Sequence, residues 1–444
     1  MAVVKGDVGA SGYDVVVNKV LQKTDLDAHN NKFYAVELHN VHGCGWRVFT
    51  HYGRTERPEK GARESRQYGS EPPARREYER ILREKTGRGY VEVSLASSRI
   101  GSAKAAGSAV GAIDSATAAK VASKAKHKQA GTPPEVLELV SRLYANATGG
   151  LAAEVNVTYT AKGMETPLGV LTLVQIERGE SVLDGLLGAL GTTHEEIQNR
   201  SNQFYSLVPH KLKRSALAEA ILDTPDKIAG RREVLQTMRD MLQVERVGGG
   251  GLLASDDLEA KYAALGCHIG LTDESVAVAA EKTALKFRPR VRRAWTIERE
   301  TERAAFEAGV GGVKRLLHGS HYRNWVGLLS RGVLMPKAVV KLGVKRTDAG
   351  WLGSGIYFGS NICTSHYYAA PGAGGVRYIA LADVALGRTR DYHEITYGLT
   401  APPAGYDSVR GVRSAPGRPS QFADEELVVY RQTQQQLTHL LEVV

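Results

Sequence analysis

The chain has 444 residues, of which 42% are hydrophobic and 24% charged, and its formal net charge is +10. A chain of this length is too long to fold around one ordinary hydrophobic core, so two to four domains are expected. No apolar run is long enough to cross a membrane, and the N-terminus lacks the basic-then-apolar pattern of a signal peptide. We therefore expect an intracellular protein without a membrane partner.

The cysteines and the charge distribution indicate more about the class of protein and its partners. Cys44, Cys267 and Cys363 are scattered without CxxC pairing, which argues against a disulfide framework and against a zinc site. Residues 1–130 contain 22 Lys and Arg against 14 Asp and Glu. This surplus suggests a polyanion partner for the N-terminal segment, although basic surfaces without such a partner are common.

The first part of the chain, residues 1–98, shows the pattern of a small α+β domain. The short alternating stretches YDVVVNKVL, KFYAVELHNV and GWRVFTHYGR predict an antiparallel sheet. The polar stretch PARREYERILREK predicts a helix, and GYVEVSL predicts a closing strand. Residues 99–131, rich in Ala, Gly, Ser and Lys, then predict a flexible linker, with a solvated Ala-rich helix in its middle as an alternative.

Residues 132–247 predict an all-α helical bundle. Apolar residues recur at helical spacing from Val136 to Leu143. The bundle should end before the glycine run 248–251. Further helices are predicted around Val170–Ile176, Ser181–Leu190, His194–Leu207 and Arg232–Val244. The remaining residues, 252–444, mix strand-like runs with Gly-rich turns and predict a mixed α/β domain.

Three fragments of this last domain carry groups suited to chemistry: LLHGS at 316–320, GSGIYF at 353–358 and EELVVY at 425–430. Taken singly they are weak signals. His318 could be a structural hydrogen-bonding residue, Tyr357 a core residue and Glu426 a solvated strand residue. Their order and spacing together are more specific.

In that order and spacing, the fragments resemble the histidine, tyrosine and glutamate signature of the poly(ADP-ribose) polymerase catalytic domain. The intervening stretches NWVGLLSRGVL, SHYYAAP and DVALGRTRDY, and the final QLTHLLEVV, resemble the same family. The resemblance implies an NAD+ ADP-ribosyltransferase activated by DNA breaks, a poly(ADP-ribose) polymerase, that modifies itself and other proteins in the response to DNA damage. It also implies that NAD+ is the substrate and that no metal takes part.

Carried over by position, the resemblance assigns the nicotinamide end of NAD+ to four residues. Gly319 would bind the carboxamide through its backbone, with Ser365 supplying a hydroxyl. Tyr357 and Tyr368 would enclose the ring, since flat aromatic faces stack on a flat heterocycle.

The other end of NAD+ and the bond that breaks are assigned in the same way. His318 and Ser320 would hold the adenosine-side ribose, and Glu426 would contact the ribose next to the breaking bond. A carboxylate there would stabilise the oxocarbenium-like state that forms as nicotinamide leaves. Glu425 is the competing assignment, although strand alternation and the spacing to Tyr430 favour Glu426.

Residues 132–247 resemble the helical regulatory domain of the same family, most specifically in TPLGVLTLVQI and NQFYSLVPH. The resemblance implies that the bundle blocks NAD+ until DNA binding destabilises it. A passive helical scaffold is the alternative.

The N-terminal domain resembles the WGR module, whose motif stands here as Tyr52-Gly53-Arg54, with NNKFY at 30–34 as a second match. Arg54 would connect DNA, this domain and the bundle. Contacts from Arg and Lys to phosphates would give affinity without sequence preference, which suits recognition of strand breaks or nicks. The protein would then lie with DNA, in the nucleus of a eukaryote or in the nucleoid or cytoplasm of a bacterium.

Three features depart from the polymer-forming members that the chain resembles. Thr364 stands where they carry a lysine, which removes a cation beside the nicotinamide site. The stretch from Tyr406 to Glu426 is shorter than their acceptor loop. The C-terminus stops at LLEVV, without the short tail that recruits an accessory factor for serine modification. The first two changes touch the acceptor side rather than the NAD+ side, so hydrolysis and first transfer are better supported than chain elongation.

Three alternatives remain to be compared. A mono(ADP-ribosyl)transferase would share the whole architecture. An inactive DNA-end-binding scaffold is disfavoured by the intact His318, Tyr357 and Glu426 set. An NAD-dependent dehydrogenase is excluded because no GxGxxG follows a strand and opens a helix.

Overall fold

A computed structural model describes the following residues: 3–9, 12–28, 30–106, 131–212, 218–335 and 350–444. The chain divides into two compact units, residues 1–124 with 151–255 and residues 125–150 with 256–444. Among the described residues, none of the helices is both long and apolar enough to cross a bilayer. Most of the predicted linker, residues 107–130, lies outside the described residues.

The first unit begins with an antiparallel sheet and one helix, as predicted. The elements are β1 (Val3–Lys5), β2 (Tyr13–Asp25), β3 (Asn30–Val41), β4 (Gly45–Arg54), β5 (Ala62–Tyr68), α1 (Glu71–Gly87) and β6 (Val91–Glu92). The strand order is β1-β5-β4-β3-β2-β6. Helix α1 buries Tyr78 and Ile81 against Leu38 and Val48 of the sheet. Strand β5 was not predicted, because its sequence ARESRQY is almost entirely polar.

Residues 99–106, the start of the predicted linker, pack against the opposite face of this sheet. Ile100 joins an apolar cluster with Val20 and Phe33. The backbone N–H of Ser102 donates to Glu37 Oε1 at 2.7 Å, and its hydroxyl donates to Glu37 Oε2 at 2.5 Å. These residues therefore extend the N-terminal domain, and composition alone did not reveal this because the anchoring partner is far away in the sequence.

Glu37 belongs to a buried polar network on this face. Glu37 and His39 are fully buried, and His39 Nε2–H donates to Glu37 at 2.7 Å. His39 Nδ1 accepts from Arg47 Nε at 3.1 Å, which requires a neutral ring. Burial lowers the pKa of His39, consistent with that tautomer. The network leaves its buried donors and acceptors paired, which a strand interior requires.

The rest of the first unit contains helices and a small second sheet. Its elements from Leu95 to Val247 are β7 (Leu95–Ser98), the last turn of α2 (Pro134–Glu154), β8 (Thr158–Thr160), β9 (Gly163–Thr166), β10 (Gly169–Leu171), α3 (Leu173–Ala189), α4 (His194–Leu207) and α5 (Pro225–Val247). The helices confirm the predicted helical region. The strands, in the order β7-β10-β9-β8, were not predicted. Val170 lies in β10, and Thr172 caps α3 by accepting from the N–H of Gln175, so the helix predicted from Val170 begins three residues later.

Hydrogen bonds join the N-terminal sheet to the helices of this unit. The N–H of Thr24 donates to Ser206 Oγ at 2.6 Å, and the N–H of Leu26 donates to Asn202 Oδ1 at 3.0 Å. The side chain of Gln175, 1% exposed, accepts from the N–H of Ser94 at 2.7 Å. Because buried polar groups are involved on both sides, we infer that the sheet and these helices form a continuous core.

The second unit is built on a nine-stranded mixed sheet, which confirms the predicted α/β domain. Its elements are α6 (Leu258–Leu265), β11 (His268–Leu271), α7 (Glu274–Lys282), β12 (Val291–Glu298), α8 (Glu300–Ala305), β13 (Val313–Gly319), α9 (Trp325–Arg331), β14 (Ile356–Gly359), α10 (Ile362–Tyr368), β15 (Arg377–Ala385), β16 (Thr389–Tyr392), β17 (Ser408–Gly411), β18 (Glu426–Val429) and β19 (Gln435–Val443). The strand order is β11-β12-β19-β15-β13-β14-β18-β17-β16, and β16 pairs with β17 in parallel.

The first turns of α2 also pack within this second unit. Tyr144 donates its hydroxyl to the carbonyl of Lys261 at 2.9 Å. Arg142 pairs at 2.7 Å with Glu442 of β19, whose side chain is 1% exposed. Residues 131–150 are therefore part of the packing around the mixed sheet, whereas the sequence prediction grouped them with the other helices. The predicted domain limits remain a prediction from the sequence.

We predict that Glu37→Ala destabilises the N-terminal domain by about 3 kcal/mol, because it leaves buried His39 Nε2–H and the N–H and hydroxyl of Ser102 without their acceptor. Hydrogen exchange should show lost protection at Ser102. The exposed pair Lys19–Glu92 provides the control, since Glu92→Ala should change stability by less than about 1 kcal/mol. Unchanged exchange at Ser102 in the Glu37 variant would contradict the role of this network.

Candidate active site

Three neighbouring strands hold the predicted catalytic residues. His318 and Gly319 end β13, Tyr357 lies in β14, and Glu426 begins β18. Strand β14 pairs with β13 on one side and with β18 on the other, and Gly359 stands directly opposite Glu426. The sheet therefore brings together residues that are more than a hundred positions apart in the sequence.

Helix α10 approaches these strands closely because two positions are glycine. A Cβ at Gly319 would overlap the carbonyl oxygen of Ser365, and a Cβ at Gly359 would lie 3.1 Å from Ser365 Oγ. Ser365 is 2% exposed. The backbone of Ser365 thus lies against Gly319 and its hydroxyl against Gly359, and the carboxamide site assigned to Gly319 and Ser365 stays a prediction.

Glu426 is a buried carboxylate that stands between two glycines, Gly359 of β14 and Gly411 of β17, on the neighbouring strands. Its side chain is 8% exposed and accepts a hydrogen bond from the hydroxyl of Tyr368 at 3.4 Å. Burial is the main cause that raises the pKa of Glu426 to about 7, and the negative charge of Asp424 contributes in the same direction. A carboxyl group of this kind can change its charge near neutral pH.

Glu425, the competing assignment, faces a different environment. Its carboxylate lies 3.4 Å from Arg410, which also pairs with Asp391 at 2.6 Å. Neighbouring strand residues point to opposite faces, so this surface ion pair and the buried Glu426 are separated by the sheet. The geometry therefore supports Glu426 over Glu425 as the residue that meets a substrate.

The side chains of His318 and Tyr357 are held in place by backbone contacts. His318 Nδ1–H donates to the carbonyl of Tyr357 at 3.0 Å, and burial lowers the pKa of His318. The hydroxyl of Tyr357 donates to the carbonyl of Gly353 at 2.8 Å and accepts from the N–H of Leu352 at 2.9 Å. Burial raises the pKa of Tyr357, so it remains a neutral donor. Its ring is thereby fixed against one turn of the chain.

The remaining predicted contacts to NAD+ differ in exposure. Tyr368 is 56% exposed, and burial of its hydroxyl raises its pKa to about 12, with the nearby charge of Glu426 as the second cause. Ser320 Oγ accepts from Asn324 Nδ2 at 3.0 Å. Tyr368 therefore presents a ring face to solvent beside Glu426, while Ser320 is oriented by a neighbouring turn.

Thr364 takes part in the cap of α10. Asn361 Oδ1 accepts from the N–H of Thr364 at 3.1 Å, and Asn361 Nδ2 donates to Thr364 Oγ1 at 2.8 Å. Thr364 is 6% exposed. Its side chain thus stabilises the helix start and brings no positive charge to the site.

The predicted DNA-binding motif lies in the first unit, at the end of β4. The ring of Tyr52 stacks on Tyr34 at 5.2 Å between centroids, and its hydroxyl donates to Glu64 at 2.7 Å. That hydrogen bond is the main cause that raises the pKa of Tyr52 to about 12. A Cβ at Gly53 would lie 2.9 Å from the Cα of Gly61, so this position admits no larger residue without movement.

These residues line a concavity of about 540 Å³. Lys32 and Arg54 lie there with no acidic partner among the described residues, whereas Arg66 pairs with Glu64 at 3.1 Å. The hydrogen bonds between sheet and helices given above do not involve Arg54. Its predicted contact with DNA fits this exposed, positive concavity, and its predicted contact with the bundle remains a prediction.

Two features of the site were not predicted. Asp424 accepts from Lys286 Nζ at 2.8 Å and lies two residues before Glu426. Alternation along the strand could have indicated Asp424, but Lys286 is distant in sequence and carries no local signal. Gly411 was also missed, and a Cβ there would overlap the ring of Phe422.

Comparison with known proteins identifies the architecture. Residues 17–97 match the family profile described as WGR domain, residues 133–260 match Poly(ADP-ribose) polymerase, regulatory domain, and residues 274–444 match Poly(ADP-ribose) polymerase catalytic domain. The strands that hold His318, Tyr357 and Glu426 lie within the residues that match the catalytic domain profile.

The individual proteins that the chain resembles are named as mono-ADP-ribosyltransferases or poly(ADP-ribose) polymerases. The chain is 34% identical to protein mono-ADP-ribosyltransferase PARP4 of Homo sapiens over 320 residues, which cover 69% of this chain and 18% of that protein. It is 25% identical to human protein mono-ADP-ribosyltransferase PARP3 over 482 residues, covering 96% of this chain and 87% of that protein. It is 24% identical to poly(ADP-ribose) polymerase 2-A of Oryza sativa subsp. japonica over 423 residues, which cover 90% of this chain and 62% of that protein.

The chain belongs to the poly(ADP-ribose) polymerase family. It spans less than a fifth of the length of the PARP4 proteins of human and mouse. With human PARP3 the match extends over nearly the whole of both chains.

We predict that Gly319→Ala lowers the stability of the catalytic domain by about 2 kcal/mol, because the new methyl group would overlap the Ser365 carbonyl and push α10 from the sheet. Thermal unfolding of the full chain should show the shift. Gly309→Ala is the matched control, since a Cβ there meets nothing within 4 Å. Equal unfolding temperatures for the two variants would contradict the close approach of α10.

Proposed function

We propose that this protein is an NAD+ ADP-ribosyltransferase activated by DNA breaks, which modifies itself and other proteins in the response to DNA damage. The observation that carries the proposal is the buried Glu426, hydrogen-bonded by Tyr368 and placed on one sheet with His318, Gly319 and Tyr357. Membership of the family adds independent support.

The nicotinamide end of NAD+ would bind between the sheet and α10. Gly319 would bond the carboxamide through its backbone, and Ser365, buried beside it, would supply the hydroxyl. Tyr368 would stack on the ring from the solvent side, and Tyr357, fixed through its hydroxyl, would face it from the other side. A rigid slot of this kind lowers the entropy lost when the ring is bound.

The adenosine end would be held by His318 and Ser320. The hydrogen bonds of these side chains to Tyr357 and Asn324 orient them before substrate arrives. Because NAD+ would be gripped at both ends, the bond between nicotinamide and ribose would be positioned beside Glu426.

Transfer breaks the bond between ribose C1′ and the nicotinamide nitrogen, and its electron pair leaves with neutral nicotinamide. A lone pair of the acceptor forms the new bond to C1′, and the acceptor releases one proton. Positive charge develops on the ribose between these events, and the carboxylate of Glu426 stabilises it at short range. Protein residues alone perform these roles.

The N-terminal domain would recognise DNA. Lys32 and Arg54 lie in the concavity beside stacked Tyr34 and Tyr52, which suits a phosphate backbone with an exposed sugar or base. The hydrogen bonds from Thr24 to the helices provide a physical route from this domain to the regulatory helices. We place the protein inside the cell with DNA, in a nucleus or a nucleoid according to its source.

The length of the product distinguishes two candidate functions. Polymer formation is the first, as in the poly(ADP-ribose) polymerase relatives. Transfer of a single unit is the second, and the buried, capped Thr364 favours it because the site then lacks a cation beside the nicotinamide. Labelled NAD+ should give a ladder in the first case and one band in the second.

We predict that Glu426→Gln lowers the rate of nicotinamide release by roughly 100- to 1000-fold while NAD+ still binds, because the charge facing the ribose is lost and the shape is kept.

Wild-type kcat/KM for NAD+ should fall as pH drops from 8 to 6, because Glu426, with its pKa raised to about 7, becomes protonated there. The pH profile of Glu426→Gln should lack this decrease in kcat/KM between pH 8 and pH 6.

Glu425→Gln is the matched control for this experiment. It removes a neighbouring carboxylate that pairs with Arg410, so it should leave the rate within about threefold of wild type. Loss of activity in Glu425→Gln with retention in Glu426→Gln would reverse the assignment.

We predict that nicked DNA stimulates ADP-ribosylation and that Arg54→Ala removes most of the stimulation while activity without DNA stays unchanged. The reason is that a ligand can shift the regulatory helices only by binding one of their states more tightly. Stimulation should also weaken as salt rises. Arg76→Ala, which removes an exposed charge from α1 outside the concavity, should be stimulated like wild type. Equal loss of stimulation in Arg54→Ala and Arg76→Ala would mean that any removed positive charge has this effect, and it would contradict the specific role of Arg54.

A further inference from the structure

The segment between α7 and β12 is strongly basic. Residues 282–293, KTALKFRPRVRR, contain six Lys and Arg and no Asp or Glu. Such a concentration in twelve residues needs acidic partners within the protein or outside it.

Three of these cations have partners within the second unit. Lys286 pairs with Asp424 at 2.8 Å, Arg292 with Glu442 at 3.6 Å, and Arg293 with Glu138 at 3.2 Å. The other three are exposed, and within the described residues none has an acidic group at ion-pair distance: Lys282, Arg288 and Arg290. We call residues 282–290 the basic rim.

The basic rim also exposes apolar side chains. Leu285 is 54% exposed and Phe287 is 46% exposed. The ring of Phe287 meets His366 of α10 at 5.0 Å between centroids, and the next residue of that helix, Tyr367, is 84% exposed. Exposed apolar groups gathered in this way, with cations around them, are typical of a contact surface.

The basic rim lies beside the candidate active site. Lys286 holds it to Asp424, two residues before Glu426, and the Phe287 carbonyl accepts from Cys363 Sγ at 3.1 Å. Through Tyr367, which meets the ring of Tyr368 edge-on at 5.6 Å, the surface continues to the residue that bonds Glu426. A molecule on the basic rim would therefore be next to the ribose carbon under attack.

We infer that the basic rim binds the acceptor protein, and that it selects segments in which acidic side chains flank an apolar residue. The inference rests on the proposed transferase function and adds the class of acceptor to it. Unpaired Arg288 and Arg290 complement the acidic side chains, while Leu285 and Phe287 receive the apolar one. The exposed apolar side chains of Leu285 and Phe287 favour a protein segment over a nucleic acid.

The test uses the full chain and two fluorescent peptides with the same modifiable residue, one with Glu and Leu flanks and one with Lys and Ser flanks. Fluorescence anisotropy should show about tenfold tighter binding of the acidic, apolar peptide. Arg288→Glu should abolish this preference, and Phe287→Ala should weaken binding of that peptide about fivefold. The KM for transfer to the peptide should rise in parallel, while nicotinamide release without peptide stays at the wild-type rate.

Val313 and Lys314 provide matched control variants at the other end of β13. Val313 is 46% exposed, like Phe287, and Lys314 is an exposed cation. They lie roughly 20 Å along the strand from Gly319, so Val313→Ala and Lys314→Glu should bind both peptides as wild type does.

Equal binding of the two peptides, or equal effects of the Lys314 and Arg288 variants, would overturn the inference. Binding of a single-stranded oligonucleotide that Arg288→Glu weakens, without peptide binding, would overturn it in favour of nucleic acid. Because anisotropy needs no turnover, these results are independent of the proposed activity. Absence of nicotinamide release from wild type with nicked DNA would instead count against the proposed function.

Discussion

The close approach of helix α10 to the ends of β13 and β14 is the constraint on which the candidate active site depends. Gly319 and Gly359 both meet Ser365, and any side chain at Gly319 would overlap its carbonyl. The same helix carries Tyr368 to Glu426 and receives Phe287 against His366. A shift of this helix would therefore separate the carboxamide groups, the stacking ring and the carboxylate at once, since packed interiors transmit such displacements.

Three consecutive carboxylates at the start of β18 show how position on a sheet determines chemistry. Asp424 pairs with Lys286, Glu425 pairs with Arg410, and Glu426 is buried with only Tyr368 as a donor among the described residues. The first two form ion pairs with nearby cations. The third has its pKa raised to about 7 by burial, so an arriving positive charge would restore its ionised form.

Much of the fold could be predicted where local signals were strong. Helix α4 begins and ends at the predicted residues, because Thr193 caps a periodic apolar stretch. The strands β8 to β10 were missed because each has three or four residues, too few for a period to show. The start of the predicted linker was misjudged because Ser102 is held by Glu37, a long-range contact with no trace in composition.

For the candidate site, residue types and order indicated His318, Tyr357 and Glu426, and the sheet places them on adjacent strands. The sequence did not indicate that the Thr364 side chain is hydrogen-bonded in a helix cap or that Lys286 pairs with Asp424. Both contacts depend on how the chain folds back on itself. Long-range pairing of charged side chains has no periodic signature.

The central claim is that NAD+ is cleaved here and its ADP-ribose becomes attached to protein. The most direct measurement is incubation of the full chain with NAD+ labelled in the adenylate phosphate, with and without nicked DNA, followed by a denaturing gel and assay of free nicotinamide. The account predicts label on the protein, released nicotinamide in at least equal amount, and an increase of both on adding DNA. Unlabelled protein and intact NAD+ under both conditions would contradict it.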